Sequence, residues 1–128
     1  MRNRLLVIFV VAMSALAGPV FAHHGVAAYE IGKTVTVAGM VTDFTFENPH
    51  ALVTIEVRDE KGNVEKWEGE LTSPNNLIRS GWSRMTLKPG DRVTMTGNPA
   101  KRGSFRMWIR KITLADGKDL AIPMGGDI

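Results

Sequence analysis

The stretch KTVTVAGMVTDFTFENPH, residues 33–50, decides the fold, because it is the longest run of strand-forming residues and ends in a polar cluster. Apolar residues alternate with polar or small ones from Val35 to Val41, which predicts a strand with one buried face. The apolar phase then moves by one residue, to Phe44 and Phe46, and one extra residue is what a β-bulge inserts. The stretch therefore predicts a long, sharply bent first strand of the kind used in small closed barrels.

Four further strand patterns follow. Alternating apolar residues and intervening turn signals place these strands at residues 51–58, 64–71, 93–97 and 104–114. In the last of them, Phe105, Met107 and Ile109 are expected to face inward. The phase changes again past Arg110, which predicts a second bulge. Residues 119–122 are expected to add a short edge strand.

A short helix is predicted between the third and fourth strands. Ser73 suits an N-cap, Pro74 the first helical position and Gly81 the stop, with about two turns between them. Three apolar side chains are expected to plug one end of a barrel: Leu77, Ile78 and Trp82. The chain is thus all-β with one short helix, and three strands, a helix and two strands are the order of a five-stranded OB-like barrel. A six-stranded open barrel or a small sandwich is the alternative.

The first 22 residues have the features of a secretory signal peptide. Arg2 and Arg4 precede an apolar core at residues 5–17, and Ala22 supplies a small residue before a cleavage point. The apolar run is short for a bilayer span, so a retained membrane anchor is the weaker alternative. We expect a periplasmic or secreted bacterial protein without a transmembrane segment after cleavage.

The mature chain is expected to form one domain. Residues 23–122 would be the barrel with an N-terminal arm, and residues 123–128 a C-terminal tail. Without Arg2 and Arg4, the 16 basic residues become 14 against 13 acidic ones, a net charge of +1. Bulk charge therefore does not indicate a polyanion-binding protein, and we expect no nucleic-acid partner. The absence of cysteine excludes disulfides, thiolate metal sites and cysteine nucleophiles.

With these landmarks placed, the sequence resembles a bacterial family of small exported proteins, the domain of unknown function 6152 family. The matching motifs cover most of the mature chain: His23-His24, Lys33 with Val-Thr-Val nearby, Asn48-Pro49-His50, Ser73-Pro74-Asn75, Gly81-Trp82, Leu87-Lys88-Pro89-Gly90-Asp91 and Thr96-Gly97-Asn98-Pro99-Ala100. The resemblance implies an exported OB-like β-barrel. It implies no catalytic or binding residues, and a shared fold does not supply them.

The three histidines of the chain are the candidate metal ligands. If cleavage follows Ala22, His23 carries the free α-amino group and can chelate through that amine and its own Nδ1, with His50 as a third nitrogen ligand. All-nitrogen tetragonal coordination favours Cu(II), and Zn(II) is less favoured because no Cys or nearby carboxylate completes a tetrahedral set. Alternatively, His24 binds as the second residue of the chain. The competing interpretation is a solvated arm that begins with two histidines, and a His50 that only makes a hydrogen bond.

A second candidate site surrounds Trp108. Its position on the fifth strand is opposite in phase to the inward residues, and Arg106 and Arg110 flank it. A tryptophan between guanidinium groups can stack a ligand or hold an acidic partner, such as an unidentified envelope protein or small ligand. The alternative is ordinary packing, with the arginine stems over the ring or the ring under the arm.

Catalysis is not predicted. No motif with a mechanical basis, such as Gly-x-Ser-x-Gly or His-Glu-x-x-His, is present. Glu68 and Glu70 lie two apart on one face of the third strand, a spacing typical of a solvated face. The sequence therefore favours a binding protein: a copper-binding accessory protein first, and a metal-independent envelope module second.

Overall fold

Five β-strands and two short helices form the part of the chain that the computed structural model describes, residues 26–123. In chain order they are a 3-10 turn at Val26–Ala28, β1 at Val35–Thr45, β2 at Leu52–Arg58, β3 at Val64–Glu70, α1 at Pro74–Arg79, β4 at Arg92–Pro99 and β5 at Arg106–Leu114. The predicted signal peptide, His23, His24 and residues 124–128 of the predicted tail lie outside the described residues.

The strands close into a barrel in the order β1-β2-β3-β5-β4, with β4 returning to β1. Every pairing is antiparallel except that of β3 with β5, which is parallel and joins Glu68, Gly69 and Glu70 to Arg106, Met107 and Trp108. This is the connectivity of the OB barrel. The predicted five-stranded OB-like barrel is confirmed, and the six-stranded and sandwich alternatives are wrong.

Both predicted bulges are present. In β1 the register against β2 shifts between Val41 and Asp43, so Thr42 is the extra residue. In β5, Lys111 pairs with Thr96 but Ile109 pairs with the next residue of β4, so Arg110 is the extra residue. The bends let β1 pair with β4 along its first half and with β2 along its second. Closure of the barrel depends on that division.

The core follows the strand periodicity. Its largest fully buried side chains are Ile55, Leu71, Leu77, Leu87, Met95, Met107, Ile109, Ile112, Val41 and Val53. Phe105 is a correction: predicted to face inward, it is 50% exposed and packs against Trp67 with ring centroids 5.4 Å apart. Phe105 precedes β5, so the alternation of that strand does not extend to it.

The helix closes one end of the barrel. Ser73 is its N-cap and accepts a hydrogen bond from the backbone N–H of Asn76. Leu77 and Trp82 are buried as predicted, but Ile78 is 55% exposed and is not part of the plug. Consecutive helical residues point about 100° apart, so a helix that buries Leu77 turns Ile78 outward. The expected edge strand at 119–122 is also absent from the described chain, where an isolated bridge joins Thr113 to Asp119.

Candidate functional site around Glu70

A half-buried carboxylate at the end of β3 gathers the polar side chains of the site. Glu70 Oε1 lies 2.5 Å from His50 Nδ1, and Glu70 Oε2 accepts a hydrogen bond from the Tyr29 hydroxyl. The side chains of His50 and Glu70 are 13% and 16% exposed. When Glu70 is ionised its oxygens can only accept, and Nδ1 of His50 is then the donor of the first bond. We call Tyr29, His50, Glu70 and Trp108 the Glu70 cluster.

Tyr29 brings the N-terminal arm onto the barrel. Its backbone bridges to Ala100, Glu30 N–H donates to the carbonyl of Pro99 at 2.8 Å, and Lys101 N–H donates to the carbonyl of Ala28 at 3.0 Å. The Tyr29 side chain is only 3% exposed. The arm therefore runs beside the end of β4 and covers the outer face of the seam between β3 and β5.

Trp108 lies under this arm. It is 8% exposed, its ring centroid is 6.0 Å from that of Tyr29, and it meets the His50 ring edge-on at 5.5 Å. As the strand phase predicts, Trp108 is on the outer face beside Glu70. The hypothesis of an open stacking surface needs correction, because the returning arm covers the ring. Of the two interpretations of Trp108, the structure shows packing under the arm.

The two arginines predicted with Trp108 lie in different surroundings. Arg106 Nη2 pairs with Glu68 Oε1 at 2.8 Å and lies 4.0 Å from Glu70 Oε2, at the edge of the Glu70 cluster. Arg110 Nε instead donates to Asn98 Oδ1 at 2.8 Å. The structure thus brings Arg106, Trp108 and His50 together around Glu70, whereas Arg110 bonds to the β4 residue that pairs with Trp108.

The phenol of Tyr29 is expected to titrate above its usual pKa. Burial raises this pKa most, and the hydrogen bond to Glu70 and the negative charge of Glu70 raise it further, while Arg106 opposes them. Tyr29 is the single tyrosine of the chain, so phenolate absorbance reports it alone. Glu70→Gln should lower the pKa only in part, because burial remains. A titration with a midpoint at the ordinary value of about 10 would contradict the arrangement.

The same shift makes stability depend on alkaline pH. Below pH about 10 the phenol is protonated in both folded and unfolded chains, so its contribution to stability is fully present. Above that pH the unfolded chain releases a proton that the folded chain retains, which favours unfolding. Urea unfolding at pH 8 and pH 11 should therefore show a larger loss for the native chain than for Tyr29→Phe.

No complete metal site lies within residues 26–123, where no three His, Asp or Glu side chains are grouped for a cation. His50 is the one predicted ligand in that range, and His23 and His24 are not described. The expectation that no carboxylate lies near the histidines is wrong for His50, because Glu70 adjoins it. No helix between residues 26 and 123 is both long and apolar enough to span a bilayer.

Two residues of the cluster, Tyr29 and Glu70, were not predicted as site residues. The hairpin register contains the missing signal. Residues 59–63, between the predicted second and third strands, form a loop that sets Arg58 opposite Val64, and the same register sets Leu52 directly opposite Glu70. His50 is two residues before Leu52 and on the same face, so it lies diagonally next to Glu70.

The closed five-stranded barrel, with the Glu70 cluster on its outer face under the arm, is a small OB-type barrel. A solved structure with the same architecture is the mitochondrial single-stranded DNA binding protein Rim1 of S. cerevisiae, with a TM-score of 0.50 and 12% identity over 65% of this chain and 93% of that one. At this identity the likeness shows the fold alone. The absence of a nucleic-acid partner stays a prediction.

The chain belongs to the Family of unknown function (DUF6152), whose sequence profile matches residues 11–107. This confirms the family resemblance. Comparison with curated protein sequences found no significant match.

Proposed function

We propose that this chain is a small exported binding protein, periplasmic or secreted, that binds Cu(II) through His50 and the histidine at the start of the mature chain. The observation that carries the proposal is the 2.5 Å contact between His50 Nδ1 and Glu70 Oε1. Metal-binding histidines characteristically donate the second ring N–H to a carboxylate or carbonyl, which fixes the tautomer and makes the ligand nitrogen more basic. With Nδ1 facing Glu70, a metal ion would be bound through Nε2.

The position of the arm supports a second ligand from the N-terminus. Tyr29 shares the carboxylate of Glu70 with His50, so the arm passes next to the proposed ligand. Five residues separate His23 from Tyr29, and the last three of them form the 3-10 turn at Val26–Ala28, so at most about 11 Å of chain separates His23 from Val26. The amine and imidazole of His23 are therefore within reach of the His50 ring.

The donor set favours copper. A terminal amine, the Nδ1 of His23 and the Nε2 of His50 are three nitrogen donors, a set that suits the tetragonal geometry of Cu(II). His24 is the substitute ligand, since a second-residue histidine can bind through the amine, its own amide nitrogen and its imidazole. Trp108, edge-on to His50, supplies an apolar wall that limits access of water. We propose binding rather than catalysis as the activity.

Copper titration of the mature protein tests the proposal. Protein that begins at His23 is expected to bind Cu(II) with a Kd below about 1 µM at neutral pH, and to release it as acid protonates the amine and imidazoles. His50→Ala and one extra N-terminal residue should each weaken binding strongly, because each removes a ligand. Binding that neither change affects would refute a site formed by the two histidines.

Glu70→Gln tests the orienting carboxylate separately. We expect a loss of about 10- to 100-fold in Cu(II) affinity, the usual effect of removing a carboxylate that orients a ligand. Glu68→Gln is the matched control, because Glu68 is two residues away on the same strand face and pairs with Arg106 rather than with His50. Equal losses in the two variants would indicate a general charge effect.

A second candidate is a metal-independent protein- or ligand-binding OB-like module of the cell envelope. Phe105, 50% exposed beside Trp67, and the half-exposed Arg106 favour it, since aromatic and arginine side chains are enriched in binding surfaces. This candidate predicts that Phe105→Ala lowers retention of the protein by isolated envelopes, whereas loss of all three histidines does not. The copper proposal predicts the opposite for metal uptake: loss of the three histidines abolishes it, and Phe105→Ala leaves it unchanged.

A further inference from the structure

A groove at the helical end of the barrel is separate from the Glu70 cluster. It lies between the β1–β2 loop, α1 and the segment after the helix, and has a volume of about 670 Å³. Ligand sites commonly enclose roughly 300–1,000 Å³. No side chain of the Glu70 cluster lines it, although its loop leads directly to His50.

The apolar side of the groove is firmly held. Phe46 and Trp82 line it and are 6% and 4% exposed, and both rings pack on Phe44, with centroid distances of 5.6 and 6.0 Å. The Trp82 indole N–H donates to the carbonyl of Ala121 at 2.6 Å, which fixes the ring. Ile78, 55% exposed, also lines the groove. The groove thus has a rigid aromatic floor and an exposed aliphatic wall.

Two opposite charges complete the lining. Glu47 and Arg84 both border the groove, and neither has an ion pair or side-chain hydrogen bond with another residue in the 26–123 range. Asn48, in the β1–β2 loop, adds an amide to the lining. Glu68 and Arg106, by contrast, neutralise one another directly. An apolar groove lined by one negative and one positive side chain, both unpaired within the described chain, fits a ligand that carries one positive and one negative charge.

We propose that this groove binds a zwitterion with an apolar side group, of the class of a free aliphatic α-amino acid. The carboxylate of Glu47 pairs with the ligand ammonium, and the guanidinium of Arg84 pairs with the ligand carboxylate. Ile78 and the aromatic floor bury the aliphatic group. This inference is independent of copper binding.

Matched probes test the charge requirement. Leucine is titrated into the mature protein while backbone amide NMR signals are followed, beside 4-methylpentanoate, which lacks the ammonium, and 3-methylbutylamine, which lacks the carboxylate. Leucine should shift the signals of Phe46, Ile78 and Trp82 saturably. Each singly charged probe should bind at least about tenfold more weakly, because one charge-assisted contact is lost.

Surface variants test the residues. Glu47→Gln and Arg84→Gln should each lower leucine affinity at least about tenfold. Arg92→Gln, an exposed arginine on β4 outside this groove, should leave it unchanged. The proposal is overturned if leucine produces no saturable shifts there, if the three probes bind equally, or if Arg84→Gln binds like the native chain. Arg84→Gln should bind Cu(II) with native affinity, which distinguishes a failure of this proposal from a failure of the proposed function.

Discussion

Gly97→Ala is expected to lower the free energy of unfolding by about 3 kcal/mol, at the upper end of the usual cost of overpacking. A Cβ at this position would lie 2.0 Å from the carbonyl oxygen of Trp108 and 3.0 Å from the Cα of Ile109. Both atoms belong to the β5 backbone, so no side-chain rotation relieves the contact. The variant must open the pairing of β4 with β5 at the bulge that closes the barrel. Urea unfolding measures the loss.

Gly103→Ala is the matched control. A Cβ added at Gly103 would meet no heavy atom within 4 Å, and the φ angle of this residue is not positive. Its replacement should leave stability unchanged or raise it by less than about 1 kcal/mol, through the entropy of the unfolded chain. If Gly97→Ala were as stable as this control, the close approach of β4 and β5 would be wrong.

Trp108→Ala is expected to cost about 3–5 kcal/mol, the range for removal of a large buried aromatic side chain. The ring is 8% exposed and packs against Tyr29 and His50, so its loss leaves a cavity under the arm. An exposed stacking surface would predict a small effect on stability. The unfolding free energy therefore distinguishes the two interpretations of this residue.

Phe105→Ala is the control for the aromatic side chain. Phe105 is three residues earlier and 50% exposed, with Trp67 as its ring partner. Its removal should cost about 1 kcal/mol or less. Equal losses at Phe105 and Trp108 would contradict the arm-covered site.

The barrel is predictable from sequence because its signals are local. The change of apolar phase between Val41 and Phe44 marks the bulge at Thr42, and a similar change marks the bulge at Arg110. Ser73 and Pro74 mark the helix start by the chemistry of the unpaired N–H groups there. Each signal falls within a few residues of the feature it predicts.

The exposed apolar residues are less predictable. Phe105 is in strand phase with the buried Met107, and Ile78 follows the buried Leu77, which predicts burial, yet both are at least half exposed. Hydrophobicity alone does not decide burial at the end of a strand or on a short helix. Phe105 is the residue just before β5, and Ile78 borders the groove at the helical end.

The site is the least predictable part, because it depends on contacts distant in sequence. Alternation places Glu70 on the outer face, and an outer carboxylate is normally solvated. The sequence does not show that the arm returns over this face, 41 residues away from Glu70. The parallel pairing of Glu70 with Trp108 is equally nonlocal. The sequence therefore predicts that Glu70 is a solvated surface charge, and only the structure shows Tyr29 and His50 beside it.

Pulsed electron paramagnetic resonance of the mature protein with equimolar Cu(II) tests the central claim most directly. We predict an axial Cu(II) signal with nitrogen couplings from two imidazoles, one of which disappears in His50→Ala. A His50→Ala spectrum identical to that of the native chain would place the copper elsewhere and contradict the account.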